Sequence, residues 1–393
     1  MIPIATLLPI VSNQQKILGL LPSFIEKNDA QSLEFLAYLS QIDFFDKLSS
    51  LLVFIHFDHP SSLPLDFETR EYSKHVVLCF KEANCDTKEA QQILKHLHQS
   101  GVRVMMDEFS SKSQLLWPDT RGIAIDGEKG IPSHIQPWLM NLQHSQHLAK
   151  NLHSIQNFEQ AQSAGFSFFS GDFAFSSSNQ ARSADPSARS RLLKLLGLVS
   201  KDADSKELEN LFKQDPTLSF MLFKLVSSAA FAQTVKVNSF VQAINLLGRR
   251  QLQRWLQLLL YARQSTQGTS LNPLMLRAAY RAAMMEAICR EQGGDRDAQD
   301  AAFMVGMFSL LDLLFACPLW EIVKPLSLSD EVRDALLERS GKLGESLRLV
   351  ELADRSISNE HETRMQECQL SIDTYYENLI YAYCWVNQVC QDM

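Results

Sequence analysis

Two adjacent acidic residues, Asp107 and Glu108, follow the apolar run Val104–Met106 in the segment VMMDEFSS. A strand that ends in neighbouring carboxylates delivers them to a loop, where they can bind a divalent cation, because hard cations prefer oxygen ligands. The same side chains can instead cap a helix or form surface ion pairs. The sequence favours this second interpretation, because further ligands for a metal are missing.

Short apolar runs alternate with helical patterns over residues 1–175. Between two of these runs, Thr87–Gly101 predicts a helix that ends at Gly101. Four runs are rich in Val, Ile, Leu and Phe without strict alternation, which predicts strands buried on both faces. They are Leu51–Phe57, His75–Phe80, Val102–Met106 and Gly122–Asp126. This strand–helix order predicts a parallel α/β sheet or barrel.

A second domain is predicted after a linker. Residues 176–190 are rich in Ser, Ala and Arg without an apolar period, which predicts the linker. Residues 191–393 show helical signals, such as Asp215 as an N-cap before Pro216, and predict an all-α domain. The apolar segment Ala301–Trp320 predicts a buried helix, because Asp312 near its centre would cost roughly 2.5–3.5 kcal/mol in a bilayer.

Composition and charge restrict the class of protein. The net charge of −8 weighs against non-specific nucleic-acid binding, which needs clustered basic surface. The 7 cysteines contain no C-x-x-C pair, which predicts reduced thiols in a cytoplasmic protein. The N-terminus has no basic segment before its apolar residues, and we do not interpret it as a signal peptide.

Three arginines lie close together in the second domain, at Arg249, Arg250 and Arg254. They could contact a phosphate group. The acidic chain around them favours an exposed face or a contact with a partner protein instead.

The motifs of the two domains, taken in order, resemble the EAL–HDOD fusion family of bacterial signal-transduction proteins. Ala164–Phe175, AGFSFFSGDFAF, is similar to the last-strand motif of EAL domains, and Phe212–Ser228 and Val237–Leu256 are similar to successive HDOD elements. The resemblance implies a (β/α) barrel of the cyclic di-GMP phosphodiesterase type, followed by an all-helical HDOD domain. It also implies two carboxylate-bound cations that activate a water. Because the segments between motifs are short, the completeness of the barrel is left open.

Compared with this family position by position, the chain lacks most of the implied metal ligands. The residual EAL-site positions, which are weak ligand or cation candidates, are Asp107, Glu108, Asp126 and Glu82. The barrel positions that depart from the EAL motifs are Leu21, Ile25, His56, Cys79, Ala124, Lys150, His153 and Ser170. In the segment that resembles the HD motif they are Ser309 and Leu310. These departures predict no catalytic residue and no bound metal.

The resulting prediction is a protein that is not an enzyme and that uses no cofactor. Its expected function is signal transduction through protein–protein interaction in a cyclic di-GMP-linked pathway, such as motility or biofilm formation. The alternative is a receptor that binds cyclic di-GMP or another nucleotide without hydrolysis. It is disfavoured because Ile25 and Ala124 replace the cations that phosphates need. Nucleic-acid and membrane partners are not expected, and the identity of the protein partner and the oligomeric state, including a homo-oligomer, are left open.

Overall fold

The computed structural model describes residues 2–392 apart from positions 27, 65, 111–121, 143–144, 177–185, 227–238, 263–271 and 327. Two compact units follow from the contacts within the chain. The barrel unit comprises residues 1–176 and 348–384, and the helical unit comprises residues 177–347 and 385–393. Each unit is described by itself below.

Eight strands form one sheet in the barrel unit, in the order β5-β4-β3-β2-β1-β8-β7-β6. Strand β1 runs antiparallel to β2 and β8, and the other neighbours are parallel. A bridge between Met106 and Ile123 brings the two ends of the sheet together. The strands are β1 (Ala5–Val11), β2 (Ile17–Phe24), β3 (Leu52–Phe57), β4 (Val76–Lys81), β5 (Arg103–Asp107), β6 (Ala124–Asp126), β7 (Leu148–Lys150) and β8 (Phe168–Phe169). The predicted α/β barrel is confirmed as a nearly closed ring.

Local sequence signals determine the helices that lie between these strands. The side chain of Thr87 accepts a hydrogen bond from the Ala90 N–H at 3.1 Å, and Gly101 after the helix has a φ of 81°. The predicted helix and its predicted ends are therefore confirmed. The helices are α1 (Asp29–Gln41), α2 (Phe44–Lys47), α3 (Lys88–Gln99), α4 (Gln136–Asn141) and α5 (Ile155–Ala164).

The later part of the chain is helical, as predicted. Asp215 accepts a hydrogen bond from the Leu218 N–H at 3.0 Å and so caps the helix that starts at Pro216. Helix α6 begins at Pro186, inside the predicted linker, and residues 177–185 of that linker lie outside the described residues. The helices are α6 (Pro186–Ser200), α7 (Ser205–Lys213), α8 (Pro216–Val226), α9 (Phe240–Leu247), α10 (Arg249–Ala262), α11 (Pro273–Glu291), α12 (Arg296–Phe308), α13 (Leu311–Phe315), α14 (Leu319–Val323), α15 (Asp330–Glu338), α16 (Gly341–Ala353), α17 (Glu360–Glu367) and α18 (Ile372–Asp392).

The segment Ala301–Trp320 is not the single helix that its hydropathy predicts. It is divided among α12, α13 and the start of α14. The Ser309 hydroxyl donates to the Gly306 carbonyl at 2.8 Å, which competes with the helical hydrogen bonds at the end of α12. Pro318 then prevents continuation of a helix. Within the described residues, no helix combines the length and the apolar character that crossing a membrane requires.

Residues 348–384 pack with the barrel, although the sequence assigned all of residues 191–393 to one domain. The Tyr376 hydroxyl on α18 donates to the Pro3 carbonyl at 2.8 Å and accepts from the Ala5 N–H at 2.9 Å. On α1, the Tyr38 hydroxyl donates to Asp373 at 2.7 Å. These bonds tie the first strand and the first helix of the barrel to the last helix of the chain.

Replacing Tyr376 with phenylalanine is expected to lower the free energy of unfolding by about 1–3 kcal/mol, because the buried Ala5 N–H loses its acceptor. Tyr375 is the matched control. Its side chain is also fully buried, but in the described part of the chain its hydroxyl has no hydrogen-bond partner. Tyr375→Phe is therefore expected to leave the stability unchanged or to raise it. Urea unfolding of the full chain, followed by circular dichroism, measures both, and equal losses would contradict a role for the Ala5 hydrogen bond.

Candidate functional site

The carboxyl ends of β3, β5 and β7 bring three ionisable side chains together. Asp107, the last residue of β5, is 1% exposed. Its Oδ2 accepts hydrogen bonds from Lys150 Nζ at 2.5 Å and from His56 Nδ1 at 2.8 Å. Its Oδ1 accepts a bond from the Glu108 N–H at 2.8 Å. A buried carboxylate is stable when such charged and polar donors replace the water it has lost.

The contacts among these three groups shift the pKa of each of them. Burial raises the pKa of Asp107, but the Lys150 ammonium and the His56 ring outweigh burial and hold this pKa well below its usual range. Burial lowers the pKa of Lys150, but Asp107 raises it by more. Burial also lowers the pKa of His56, and the bond to Asp107 again produces a net increase. Asp107 and Lys150 therefore form an ionised pair at neutral pH.

A pocket opens beside this ion pair. We call it the barrel pocket, and its lining includes Leu21, His56, Cys79, Asp107 and Lys150. The side chains of His56 and Lys150 are 29% and 17% exposed, whereas that of Asp107 is 2% exposed. The pocket therefore presents an imidazole and an ammonium group to a ligand, with the carboxylate beneath them.

The carboxylates of the other acidic candidates interact with other residues than Lys150 and His56. Glu108 lies at the edge of the barrel pocket, where its carboxylate pairs with Lys81 at 3.0 Å. Asp126 is exposed and accepts a hydrogen bond from the Asn151 amide at 2.8 Å.

Glu82 lies outside the lining of the barrel pocket. It accepts hydrogen bonds from the Ser110 N–H at 2.6 Å and from the Ser110 hydroxyl at 2.7 Å, so it holds the loop after β5. The four acidic residues that the sequence singled out therefore do not converge on one point.

The positions that depart from the EAL motifs fall into three groups, one of which is the pair His56 and Lys150 that contacts Asp107. Three take part in the packing of the barrel interior, where Cys79 and Ala124 belong to the core and Leu21 packs against it. Three lie outside the lining of the barrel pocket: Ile25 and His153 are exposed and Ser170 is buried.

The resemblance to EAL domains implies divalent cations at these strand ends, and the residues present do not fit them. The Lys150 ammonium is bound to Asp107 Oδ2, an oxygen that a cation at this place would need as a ligand. Among the residues that the structure describes, no group of three or more His, Cys, Asp or Glu side chains could hold a metal ion. A second positive charge beside Lys150 would be repelled in this poorly solvated place.

Sequence reasoning missed the contact between Lys150 and Asp107. It noted Lys150 only as a position where an acid was lost. The two residues are 43 positions apart, and each ends its own strand. The available signal was a lysine directly after the apolar pair Leu148–Ala149, which places it at the same edge of the parallel sheet as Asp107.

In the helical unit, Ser309 and Leu310, which lie in the segment that resembles the HD motif, are both buried. The Ser309 hydroxyl accepts from the Arg281 guanidinium at 3.2 Å and donates to the Gly306 carbonyl. Leu310 is part of the apolar core. Both residues therefore contribute to packing at the end of α12.

The arginine cluster is part of an ion-pair network rather than an exposed face. The Arg254 side chain is 14% exposed and pairs with Glu286 and with Asp300, the latter at 3.1 Å. Its guanidinium also lies 4.3 Å from the centre of the Phe303 ring. Arg250 is more exposed and pairs with Asp300 at 2.6 Å. The prediction of an exposed face is wrong for Arg254, because α10 packs against α11 and α12.

Comparison with known proteins adds a family and two relatives. Residues 184–321 match the HDOD domain family. A protein of Vibrio cholerae named cyclic di-GMP phosphodiesterase CdgJ is 26% identical over 348 residues, which is 86% of this chain and 78% of that protein. The uncharacterized protein YuxH of Bacillus subtilis is 30% identical over 247 residues, or 62% of this chain and 59% of that protein.

Solved structures are more distant. The Klebsiella pneumoniae protein BlrP1, in a complex with calcium and cyclic di-GMP, aligns with a TM-score of 0.34 and 13% identity. The alignment covers 44% of this chain and 54% of the BlrP1 chain.

The prediction that the chain is not an enzyme is wrong on this comparison. The Vibrio relative, which matches 86% of the chain, is named as a phosphodiesterase. The prediction rested on single positions of short motifs, and such positions do not show that catalytic residues are absent from the whole chain. The chain therefore combines a nearly closed eight-stranded barrel with an HDOD domain at residues 184–321, and over most of its length it is similar to a bacterial cyclic di-GMP phosphodiesterase.

Proposed function

We propose that the protein transmits a signal in a cyclic di-GMP-linked pathway through contact with a partner protein. The observation that carries this proposal is a pair of exposed apolar side chains on the helical unit. Trp320 on α14 is 54% exposed and Leu337 on α15 is 39% exposed, and the two helices pack against each other. Exposed large apolar groups on neighbouring elements are typical of binding surfaces, and Trp is enriched among the residues that dominate binding energy.

The composition of the barrel pocket supports a partner protein over a nucleotide. A phosphodiester is bound by cationic or N–H donors. In the barrel pocket, the Lys150 ammonium is already paired with Asp107. Of the two positions where the family has cations, Ile25 is exposed and Ala124 is buried in the core, and neither side chain can donate a hydrogen bond. The name of the Vibrio relative supports the link to cyclic di-GMP.

Replacing Trp320 with serine is expected to weaken partner binding by about 30-fold or more, the effect of losing a dominant interface side chain of about 2 kcal/mol. The full chain is used to capture partners from a bacterial lysate after cross-linking. The affinity of the captured protein for wild type and variants is then measured by interferometry. Phe220→Ser is the matched control, because Phe220 lies on α8 of the same unit and is 69% exposed.

The expected result is that wild type and Phe220→Ser bind the partner with equal affinity and that Trp320→Ser binds it about 30-fold or more weakly. Equal binding by all three would exclude this surface as the contact. Calorimetric titration of the full chain with cyclic di-GMP, with and without Mg²⁺, tests the alternative. Binding tighter than about 10 μM, or about −7 kcal/mol, without any partner captured would make the protein a nucleotide receptor and overturn the proposal.

A further inference from the structure

We infer that the ammonium group of Lys150 is a built-in cation that takes the place of a divalent metal on Asp107. The inference concerns the barrel pocket alone and does not depend on the partner contact proposed above. Its basis is the position of one nitrogen atom. Lys150 Nζ donates a hydrogen bond to Asp107 Oδ2, an oxygen that Mg²⁺ or Ca²⁺ would otherwise use as a ligand.

The remaining contacts of Asp107 leave little room for a metal on its other lone pairs. Oδ2 is also bound by His56 Nδ1, and Oδ1 is bound by the Glu108 N–H. Because a metal and a hydrogen-bond donor compete for the same lone pairs, a cation could bind Oδ2 only by displacing Lys150 or His56. It would also approach the positive charge of Lys150, which repels it strongly in a buried place.

The fold holds Lys150 in this position. Strand β7 lies between β6 and β8, and in the register of the sheet Lys150 is paired with Asp126 at the ends of β7 and β6. The Lys150 side chain is 17% exposed, so most of it is buried, and the residue lines the barrel pocket. An ammonium group fixed in this way supplies one positive charge without any dependence on the metal concentration.

The inference is tested by giving the site an acid in place of the ammonium. Lys150→Glu would place a second carboxylate next to Asp107 and so create a pair of oxygen ligands for a divalent cation. The thermal unfolding midpoint of the full chain is measured in EDTA and in Mn²⁺. For Lys150→Glu, Mn²⁺ is expected to raise the midpoint by about 5–10 °C when its concentration is a hundred times the dissociation constant. For wild type, no such rise is expected.

Lys16→Glu is the matched control, because Lys16 is exposed in the turn between β1 and β2 and the change in charge is the same. A rise in wild type as large as in Lys150→Glu would overturn the inference. A response of Lys150→Glu no larger than that of Lys16→Glu would overturn it as well.

A second measurement covers the case in which Lys150→Glu does not fold. Mn²⁺ binding to wild type is followed by electron paramagnetic resonance. One ion bound per chain with a dissociation constant below about 1 mM, the upper end for protein sites of this type, would overturn the inference. The absence of such a site in wild type supports it.

Discussion

Replacing Lys150 with methionine is expected to lower the free energy of unfolding by about 3–5 kcal/mol, the usual cost of removing one partner from a buried ion pair. Methionine keeps most of the length and of the apolar volume of the side chain but removes its charge. Asp107 is then left 1% exposed, with the His56 ring as its remaining side-chain hydrogen-bond partner. Urea unfolding of the full chain, followed by circular dichroism, measures the loss.

The pH dependence of this loss follows from the two pKa shifts. The folded-state pKa of Asp107 is depressed, so its contribution is complete above the unfolded-state pKa of about 4 and is lost as the pH falls towards the folded-state value. The folded-state pKa of Lys150 is raised, so its contribution is complete below about pH 10.4 and is lost as the pH rises through the folded-state value. The difference between wild type and Lys150→Met is therefore expected to be largest between these limits and to shrink on acidification.

Lys81→Met is the control for the loss of a lysine at the same end of the barrel. Lys81 pairs with Glu108 at 3.0 Å, but their side chains are 37% and 48% exposed, and an exposed pair contributes about 1 kcal/mol or less. If Lys81→Met and Lys150→Met lost the same stability, the Asp107–Lys150 pair would not be the buried interaction that the geometry indicates.

Replacing Arg254 with methionine is expected to destabilise the helical unit by about 3 kcal/mol. The Arg254 guanidinium pairs with Glu286 and Asp300 and lies over the Phe303 ring. Burial lowers the pKa of Arg254, but the two carboxylates raise it by more, so the group stays charged. Its removal leaves Glu286, whose side chain is 7% exposed, with less positive charge around it.

Native-state hydrogen exchange of the full chain, analysed by peptide, localises this effect. Peptides from α10, α11 and α12 are expected to exchange faster in Arg254→Met, while those from the barrel strands stay unchanged. Arg250→Met is the control, because the Arg250 side chain is 38% exposed and its pairs contribute about 1 kcal/mol or less. Equal exchange in the two variants would show that the network does not depend on the buried arginine.

The elements that could be predicted from the sequence are those with local causes. The strands β3 to β6 follow runs of Val, Ile, Leu and Phe, which suit positions buried on both faces of a parallel sheet. Helix α3 starts at Thr87 and ends before Gly101, because a side-chain oxygen and a residue that tolerates positive φ satisfy the two ends of a helix. Asp215 acts in the same way for α8. In each case the interacting atoms lie within a few residues of one another.

The contacts that form the candidate site were decided by the tertiary structure. In the sequence, Lys150 stands where EAL domains have an acidic residue, and Asp107 is an acidic residue that is retained. Only the barrel brings the Lys150 ammonium to the Asp107 carboxylate. Tyr376 likewise joins a first strand that lies 371 residues earlier in the chain. The sequence by itself therefore determined the strands β3 to β6, helix α3 and the start of α8, because propensity and capping act over a few residues. The pairing of charges depended on the closure of the ring, because electrostatic and packing interactions act between neighbours in space.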